Sequence, residues 1–182
     1  MSNFGGWTHE DVRAAQERAK ANPKPQTPTQ KMQSLGRLPG GVIADVMVGI
    51  DPGTHTGFAV KYCWETPNEW KEVSTLTIFE AMQRLQILNE MASVAGKTIF
   101  VRFEDARLRT YFGKSGPEKW KGAGSIMRDC KIWEEMLTYL KIPFEKVHPK
   151  NVKETDAKTF KGLTGWKART SIHAREAAWQ IL

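Results

Sequence analysis

The sequence predicts an α/β domain with a five-stranded mixed sheet flanked by helices, in the element order β-β-β-α-β-α-β-α. Three observations predict it. Short apolar or alternating runs have the length of strands, longer segments repeat apolar residues at helical spacing, and the connections change along the chain from turns to helices. Turns favour an antiparallel meander of the first three strands, and helical crossovers make the later strands parallel. We place this domain at residues 42–182.

The strands are justified by their composition. The run VIADVMVGID is apolar enough for a central strand, and GFAVKYC follows after a short turn, which indicates a hairpin. The run EVSTLTIF alternates and is rich in β-branched residues, as is typical of a third strand. TIFVRFE and FEKV each follow a predicted helix and supply the fourth and fifth strands.

Three helices complete the predicted domain. EAMQRLQILNEMASVAG carries apolar residues at helical spacing and ends at Gly96. SIMRDCKIWEEMLTYLKI has a wide apolar face and ends before Pro143. ARTSIHAREAAWQIL closes the domain, with Thr170 or Ser171 as its N-cap.

The first 41 residues differ in character from the rest. Residues 1–21 predict a short helical arm, because Thr8 is a good N-cap, but the apolar face of that helix is too small to stabilise it alone. Residues 22–41 are rich in proline, glycine and polar residues and predict a flexible linker. The arm is either a loosely attached tail or a docking element whose partner the sequence does not identify.

The composition limits the possible partners and compartments. A net charge of +7 fits a polyanionic partner such as nucleic acid, although an ordinary basic protein fits it equally well. Cys63 and Cys130 lie far apart without a Cys-x-x-Cys pair, which argues against structural zinc and for reduced thiols. No signal peptide or membrane-spanning run is evident, so we expect a cytoplasmic protein without membrane association.

Carboxylates stand at the ends of predicted elements. Asp51 ends the first strand, and Glu104 ends the fourth, where strand alternation separates it from Asp105. His173 and Glu176 lie one turn apart on one face of the last helix. Converging oxygen ligands could hold two divalent cations that clamp a phosphodiester for attack by water. His173 would position the water, act as a general base or complete the metal shell. Taken singly, each residue also fits an ordinary turn, cap or surface position.

The turn after Asp51 has a second interpretation. In the superfamily of actin, heat-shock ATPases and sugar kinases, a similar strand-Asp-x-Gly-Thr turn binds phosphate, and here Gly53, Thr54 and Thr56 would surround it. That fold needs two large lobes and a second phosphate loop. The roughly 140 residues after the linker are too few for two such lobes.

Taken together, the motifs GIDPG, FVRFEDA and HAREAA resemble the RuvC-type Holliday junction resolvases of the RNase H-like superfamily, with the phage-encoded branch nearest. The resemblance spans residues 42–182. It implies an RNase H-like fold, a homodimer that cuts opposed strands of a four-way junction, and two Mg²⁺ ions, replaceable by Mn²⁺. It also implies that Asp51, Glu104, His173 and Glu176 are both the catalytic and the metal-binding residues. The family usually has Asp where this chain has Glu176, which is one methylene longer.

The implied activity is that of a crossover junction endodeoxyribonuclease in DNA recombination and repair, working by two-metal phosphodiester hydrolysis. Two alternatives remain open. The same fold could cut other branched, flap or hybrid substrates, or the protein could bind junctions while being catalytically weak.

Two basic segments are predicted to contact DNA. Residues 97–131 contain nine basic against four acidic residues, and residues 139–170 contain eight against three, so these segments hold most of the excess charge. Cations neutralise phosphates, and exposed aromatic rings stack on unpaired bases. The residues predicted to contact DNA are Arg107, Arg109, Tyr111, Phe112, Lys114, Lys119, Trp120, Lys121, Lys150, Lys153, Lys167 and Arg169.

Overall fold

A computed structural model describes residues 44–64, 69–109, 117–152 and 154–182, with the backbone alone for residues 117–123. The predicted arm (1–21) and nearly all of the region before β1 lie outside the described residues, as does the linker (22–41). The described residues form one five-stranded mixed sheet with helices packed on both faces. The predicted α/β class is therefore confirmed.

The sheet has the strand directions that the connection lengths predicted. Its strands are β1 (Val46–Asp51), β2 (Thr56–Tyr62), β3 (Glu69–Leu76), β4 (Ile99–Glu104) and β5 (Phe144–Val147). They lie in the order β3-β2-β1-β4-β5. The first three form an antiparallel meander, whereas β4 is parallel to β1 and β5 is parallel to β4. The most apolar strand, β1, is therefore central, with every residue buried.

In the described part of the chain, four α-helices cover the sheet: α1 (Ile78–Val94), α2 (Pro117–Tyr139), α3 (Ala157–Thr164) and α4 (Ile172–Trp179). Thr77 and Glu80 form a reciprocal capping box that fixes the start of α1. Helices α1 and α2 pack on one face of the sheet, and α3 and α4 contribute to the core on the other. None of the helices in the described part of the chain has the length and apolar character needed to span a bilayer.

Two stretches differ from the predicted elements. Helix α2 begins at Pro117, eight residues before the predicted helical segment, so more of the basic segment 97–131 is helical than predicted. Proline suits the first turn of a helix because it has no N–H to leave unpaired. Helix α3 was not predicted. Its N-cap is Asp156, whose carboxylate accepts hydrogen bonds from two backbone N–H groups, and its C-cap is Gly165, with φ of 71°. Phe160 is the buried residue that attaches it to the core.

Candidate active site

The two strand carboxylates lie at neighbouring strand ends on the same side of the sheet. The even-numbered residues of β1 and the odd-numbered residues of β4 face α1 and α2. Asp51 and Glu104 alternate with these residues along their strands and therefore lie on the face that packs against α4. The register pairs Ile50 with Phe103, which brings the next residues, Asp51 and Glu104, side by side. Parallel neighbours therefore place both carboxyl groups at one edge of the sheet.

Two glycines allow α4 to approach the sheet closely. A Cβ atom on Gly49 would lie 2.0 Å from the carbonyl oxygen of Ala177, and one on Gly57 would lie 2.0 Å from that of His173. Small side chains on α4, such as Ala174, complete this contact. At Gly57 the space beside Asp51 is therefore filled by α4.

Helix α4 delivers two further groups to Asp51. Ser171 accepts a hydrogen bond from the N–H of Ala174 and is the N-cap, which was one of the two predicted caps. The Nδ1 atom of His173 lies 2.8 Å from Oδ2 of Asp51 and 3.9 Å from Oε2 of Glu176. Candidate ligand atoms of these three side chains all lie within 4.8 Å of one another.

Glu104 lines the same cleft, which has a volume of about 560 Å³. Its Oε1 atom is 3.4 Å from Nη2 of Arg109, a half-exposed side chain that also lines the cleft. The structure thus brings all four predicted site residues to one cleft, three of them in a tight group and Glu104 at its side. Other lining residues come from the β1–β2 turn, including His55, and from the segment after β5, including Glu154.

The environment of the cleft raises the pKa values of its carboxyl groups. Burial raises the pKa of Asp51 to about 7, the hydrogen bond from His173 opposes the rise, and the negative charges of Glu104 and Glu176 add to it. Burial also raises the pKa of Glu104, against the nearby charge of Arg109. The pKa of Glu176 is raised by burial first, and the charge of Glu154 adds to the rise. Burial and the mutual repulsion of the carboxylates therefore outweigh the opposing effects of Arg109 and His173.

The donor set fits a hard divalent cation. Carboxylate oxygens are the preferred ligands of Mg²⁺, and Mn²⁺ accepts a histidine nitrogen as well. A cation would supply the missing positive charge and lower the raised pKa values of the carboxyls. While Nδ1 of His173 bonds to Asp51, its Nε2 and the second oxygen of Asp51 remain available as ligands.

Asp105, next to Glu104, has a structural role. Burial alone would raise its pKa, but the hydrogen bonds from Arg107 hold it below its usual range. Arg107 also contacts Glu134 on α2, which in turn pairs with Lys146 on β5. This set of ion pairs ties the end of β4 to α2 and β5. Strand alternation thus separates Glu104, in the cleft, from Asp105, in the packing between elements.

The predicted DNA contacts fall into three groups. Arg109 lines the cleft, and Lys150, Lys167 and Arg169 are exposed on the segments that precede α3 and α4. Arg107 is only partly exposed and its guanidinium is held by two carboxylates. The remaining predictions lie outside the residues whose side chains are described: Tyr111, Phe112, Lys114, Lys119, Trp120, Lys121 and Lys153.

The phosphate-binding interpretation of the first turn finds no support in the geometry. Thr56 is fully buried, and its hydroxyl donates to the carbonyl oxygen of Gly53 at 2.7 Å. That hydroxyl closes the turn instead of facing a ligand.

Glu154 is a cleft residue that the sequence reasoning missed, because nothing in the local pattern distinguishes it from an ordinary surface glutamate.

No protein-family model matches the sequence, and a search of curated proteins finds no match. Among solved structures, the chain is similar to T. thermophilus RuvC in complex with a Holliday junction substrate, at 19% identity and a TM-score of 0.41. The likeness covers 75% of this chain and 90% of that chain. A likeness with a TM-score below 0.5 carries no argument about the function of this chain.

Proposed function

We propose that this chain is a divalent-metal-dependent endodeoxyribonuclease that resolves Holliday junctions and related branched DNA. The observation that carries the proposal is the convergence of Asp51, Glu104, His173 and Glu176 on one cleft. These groups come from two strand ends and a helix, and they leave a local excess of negative charge. A phosphodiester can approach such a cleft only when cations neutralise it.

The residues would divide the work by their positions. Asp51, Glu104 and Glu176 would hold Mg²⁺ or Mn²⁺, two ions in a complete site. Bound ions supply a hydroxide-like nucleophile and stabilise the leaving oxygen in phosphodiester hydrolysis. Asp51 is buried on the central strand, so its carboxylate is the best fixed of the three. Glu176 reaches the group from α4, whose position Gly49 and Gly57 fix.

His173 suits proton transfer or ligation at its outer nitrogen. With Nδ1 donating to Asp51 at 2.8 Å, the neutral ring carries its free lone pair on Nε2. The aspartate thereby fixes both the ring orientation and the tautomer. Half of the His173 side chain is exposed, so Nε2 is accessible to water or substrate.

Exposed basic residues would bind the DNA backbone. Arg109 lines the cleft itself. Lys150, Lys167 and Arg169 are exposed on the segments that precede α3 and α4. We further propose a homodimer, because two copies of one site are needed to cut two opposed strands. The proposed setting is the cytoplasm of a cell or, for a phage-encoded protein, of its bacterial host.

A panel of DNA substrates tests the proposal. Wild-type protein and Asp51→Asn are incubated with four-way junctions, flaps, hybrids and linear duplexes, with Mg²⁺ or with EDTA. We expect Mg²⁺-dependent junction cleavage by the wild type and junction binding without cleavage by Asp51→Asn. Preferential cutting of flaps or hybrids would redirect the substrate assignment. Binding without any cleavage would replace the enzyme by a junction-binding protein, and equal cleavage by both proteins would refute the site.

A further inference from the structure

Glu154 lines the same cleft and has no partner among the residues that the structure describes. It follows the short 3₁₀ helix Pro149–Asn151 and precedes Asp156, the cap of α3. Its carboxylate is exposed and lines the cleft together with Glu104 and Glu176. Among the described residues it makes neither a hydrogen bond nor an ion pair. An exposed carboxylate usually gains by turning to water or to a cation, and this one is held at a site already crowded with negative charge.

A buried arginine holds the segment that carries Glu154. Arg175 is 8% exposed, and its Nε donates to the carbonyl oxygen of Thr155 at 2.5 Å. Its Nη1 donates to the carbonyl oxygen of Thr170 at 2.9 Å. Thr155 is itself buried, and Asp156 caps α3 directly after it. The backbone next to Glu154 is thus fixed on its C-terminal side.

The same arginine belongs to the helix that carries the other ligands. Arg175 lies between His173 and Glu176 in sequence, but its side chain is buried where theirs face the cleft. One turn of α4 therefore presents two candidate ligands and also binds the backbone beside Glu154. A planar guanidinium with several donors can hold two carbonyl groups at once, which a lysine cannot do equally well.

We propose that Glu154 is a further cation-binding carboxylate of this site and that Arg175 is the residue that positions it. The proposal rests on the proposed function for the presence of a divalent cation. Glu154 would contact the ion directly or through a bound water, as carboxylates do around Mg²⁺ and Mn²⁺. It would thereby supply an oxygen ligand on the side of the cleft formed by the segment after β5.

The first test measures Mn²⁺ binding directly, without DNA. Free Mn²⁺ is followed by electron paramagnetic resonance while it is titrated into full-length wild type, Glu154→Gln and Glu90→Gln. Glu90 is an exposed glutamate on α1 that does not line the cleft, so its variant loses the same charge elsewhere. We expect Glu154→Gln to weaken Mn²⁺ binding about tenfold, as loss of a second-shell group does, and Glu90→Gln to change it by less than about twofold. Equal binding by the two variants would overturn the proposal.

The second test asks whether Arg175 acts through Glu154. Arg175→Met removes the hydrogen bonds to Thr155 and Thr170 but keeps an unbranched stem. Arg175→Lys keeps a positively charged donor group and should restore part of the affinity. Each is combined with Glu154→Gln, and unfolding midpoints identify the variants that fold. If Arg175 positions Glu154, its substitution weakens Mn²⁺ binding in the wild type and has little further effect in Glu154→Gln. If the Arg175 substitution weakens Mn²⁺ binding as much in Glu154→Gln as in the wild type, Arg175 acts through α4 and not through Glu154. If Arg175→Met does not fold, the same comparison is made with Arg175→Lys.

The role of Glu154 and the nuclease activity are tested by different results. Mn²⁺ binding that depends on Asp51 but not on Glu154 would refute the role of Glu154 and leave the proposed nuclease function intact. If Mn²⁺ binding depends on Glu154 but the protein cuts no DNA substrate, the role of Glu154 stands and the proposed nuclease function is refuted.

Discussion

Replacing Asp51 by Asn should make the metal-free protein more stable while removing its metal site. Asp51 is 7% exposed on the central strand, and burial raises its pKa from 3.8 to about 7. The folded state therefore keeps a proton that the unfolded chain releases between these two pH values. Because the folded state binds more protons in this window, stability falls as the pH rises through it.

The magnitude follows from the same shift. At 1.36 kcal/mol for each pH unit, a rise from 3.8 to about 7 costs at most about 4 kcal/mol at pH 8. At pH 5 the cost has fallen to about 2 kcal/mol, because most of the window lies above that pH. Asn carries no charge, and its side-chain oxygen can still accept the hydrogen bond from His173. Asp51→Asn should recover most of this energy without opening a cavity.

Urea unfolding in EDTA at pH 8 and pH 5 measures the effect, with Glu90→Gln as a control for the change in net charge. We expect a gain of about 2 to 4 kcal/mol at pH 8, and roughly half of that gain at pH 5. Adding Mn²⁺ should then stabilise the wild type and leave Asp51→Asn unchanged. A variant less stable than the wild type at pH 8, or a gain independent of pH, would refute the electrostatic reasoning.

Three further predictions concern the same cleft. Gly57→Ala should destabilise the protein by about 1 to 3 kcal/mol and abolish cleavage, because its Cβ would lie 2.0 Å from a carbonyl oxygen of α4. Gly53→Ala is the control: its Cβ would have no neighbouring atom closer than 3.9 Å, so unfolding experiments should show little change in stability. Glu104→Gln should abolish cleavage without loss of stability, whereas Asp105→Asn should lower stability in urea because it weakens the ion pair of the buried Asp105 with Arg107. Mn²⁺ affinity, measured by titration, should fall as the pH drops below about 7, because protons then compete for Asp51.

The parts of the site that could be predicted from sequence depend on local patterns. An apolar strand that ends in a charged residue places Asp51 and Glu104 at strand ends, and the period of two assigns Glu104 to one face and Asp105 to the other. A spacing of three residues on a capped helix puts His173 and Glu176 on one face. The turn-or-helix character of each connection then orders the strands, because it decides which neighbours are antiparallel.

Helix α3 and the first turns of α2 illustrate what local patterns miss. Only Phe160 is buried along α3, so the sequence shows no apolar periodicity there. The ends of this helix are marked in the sequence by its capping residues alone, Asp156 and Gly165. Residues 117–124 contain two glycines, whose low helix propensity favoured a loop. In both stretches, caps and tertiary contacts outweigh the intrinsic preference of the residues.

The role of Gly57 and the position of Glu154 depend on contacts between distant segments. A glycine beside a candidate ligand fits either a close approach of substrate or a close approach of another element, and only the fold shows that α4 fills the space. Glu154 reaches the cleft because Arg175, 21 positions later, binds the backbone of its neighbour. Sequence patterns carry no information on such a pairing.

The distribution of charge in the fold explains why the cleft requires a cation. The chain as a whole is basic, yet several of its arginines are held in other contacts. Arg102 binds the carbonyl oxygen of Gln180 and pairs with Glu145, and Arg107 is held by two carboxylates. Among the described residues that line the cleft, four carboxylates face a single arginine, Arg109. Since the polyanionic backbone of DNA would add further negative charge, divalent cations are the missing component that would let the acidic cleft of a basic protein act on a phosphodiester.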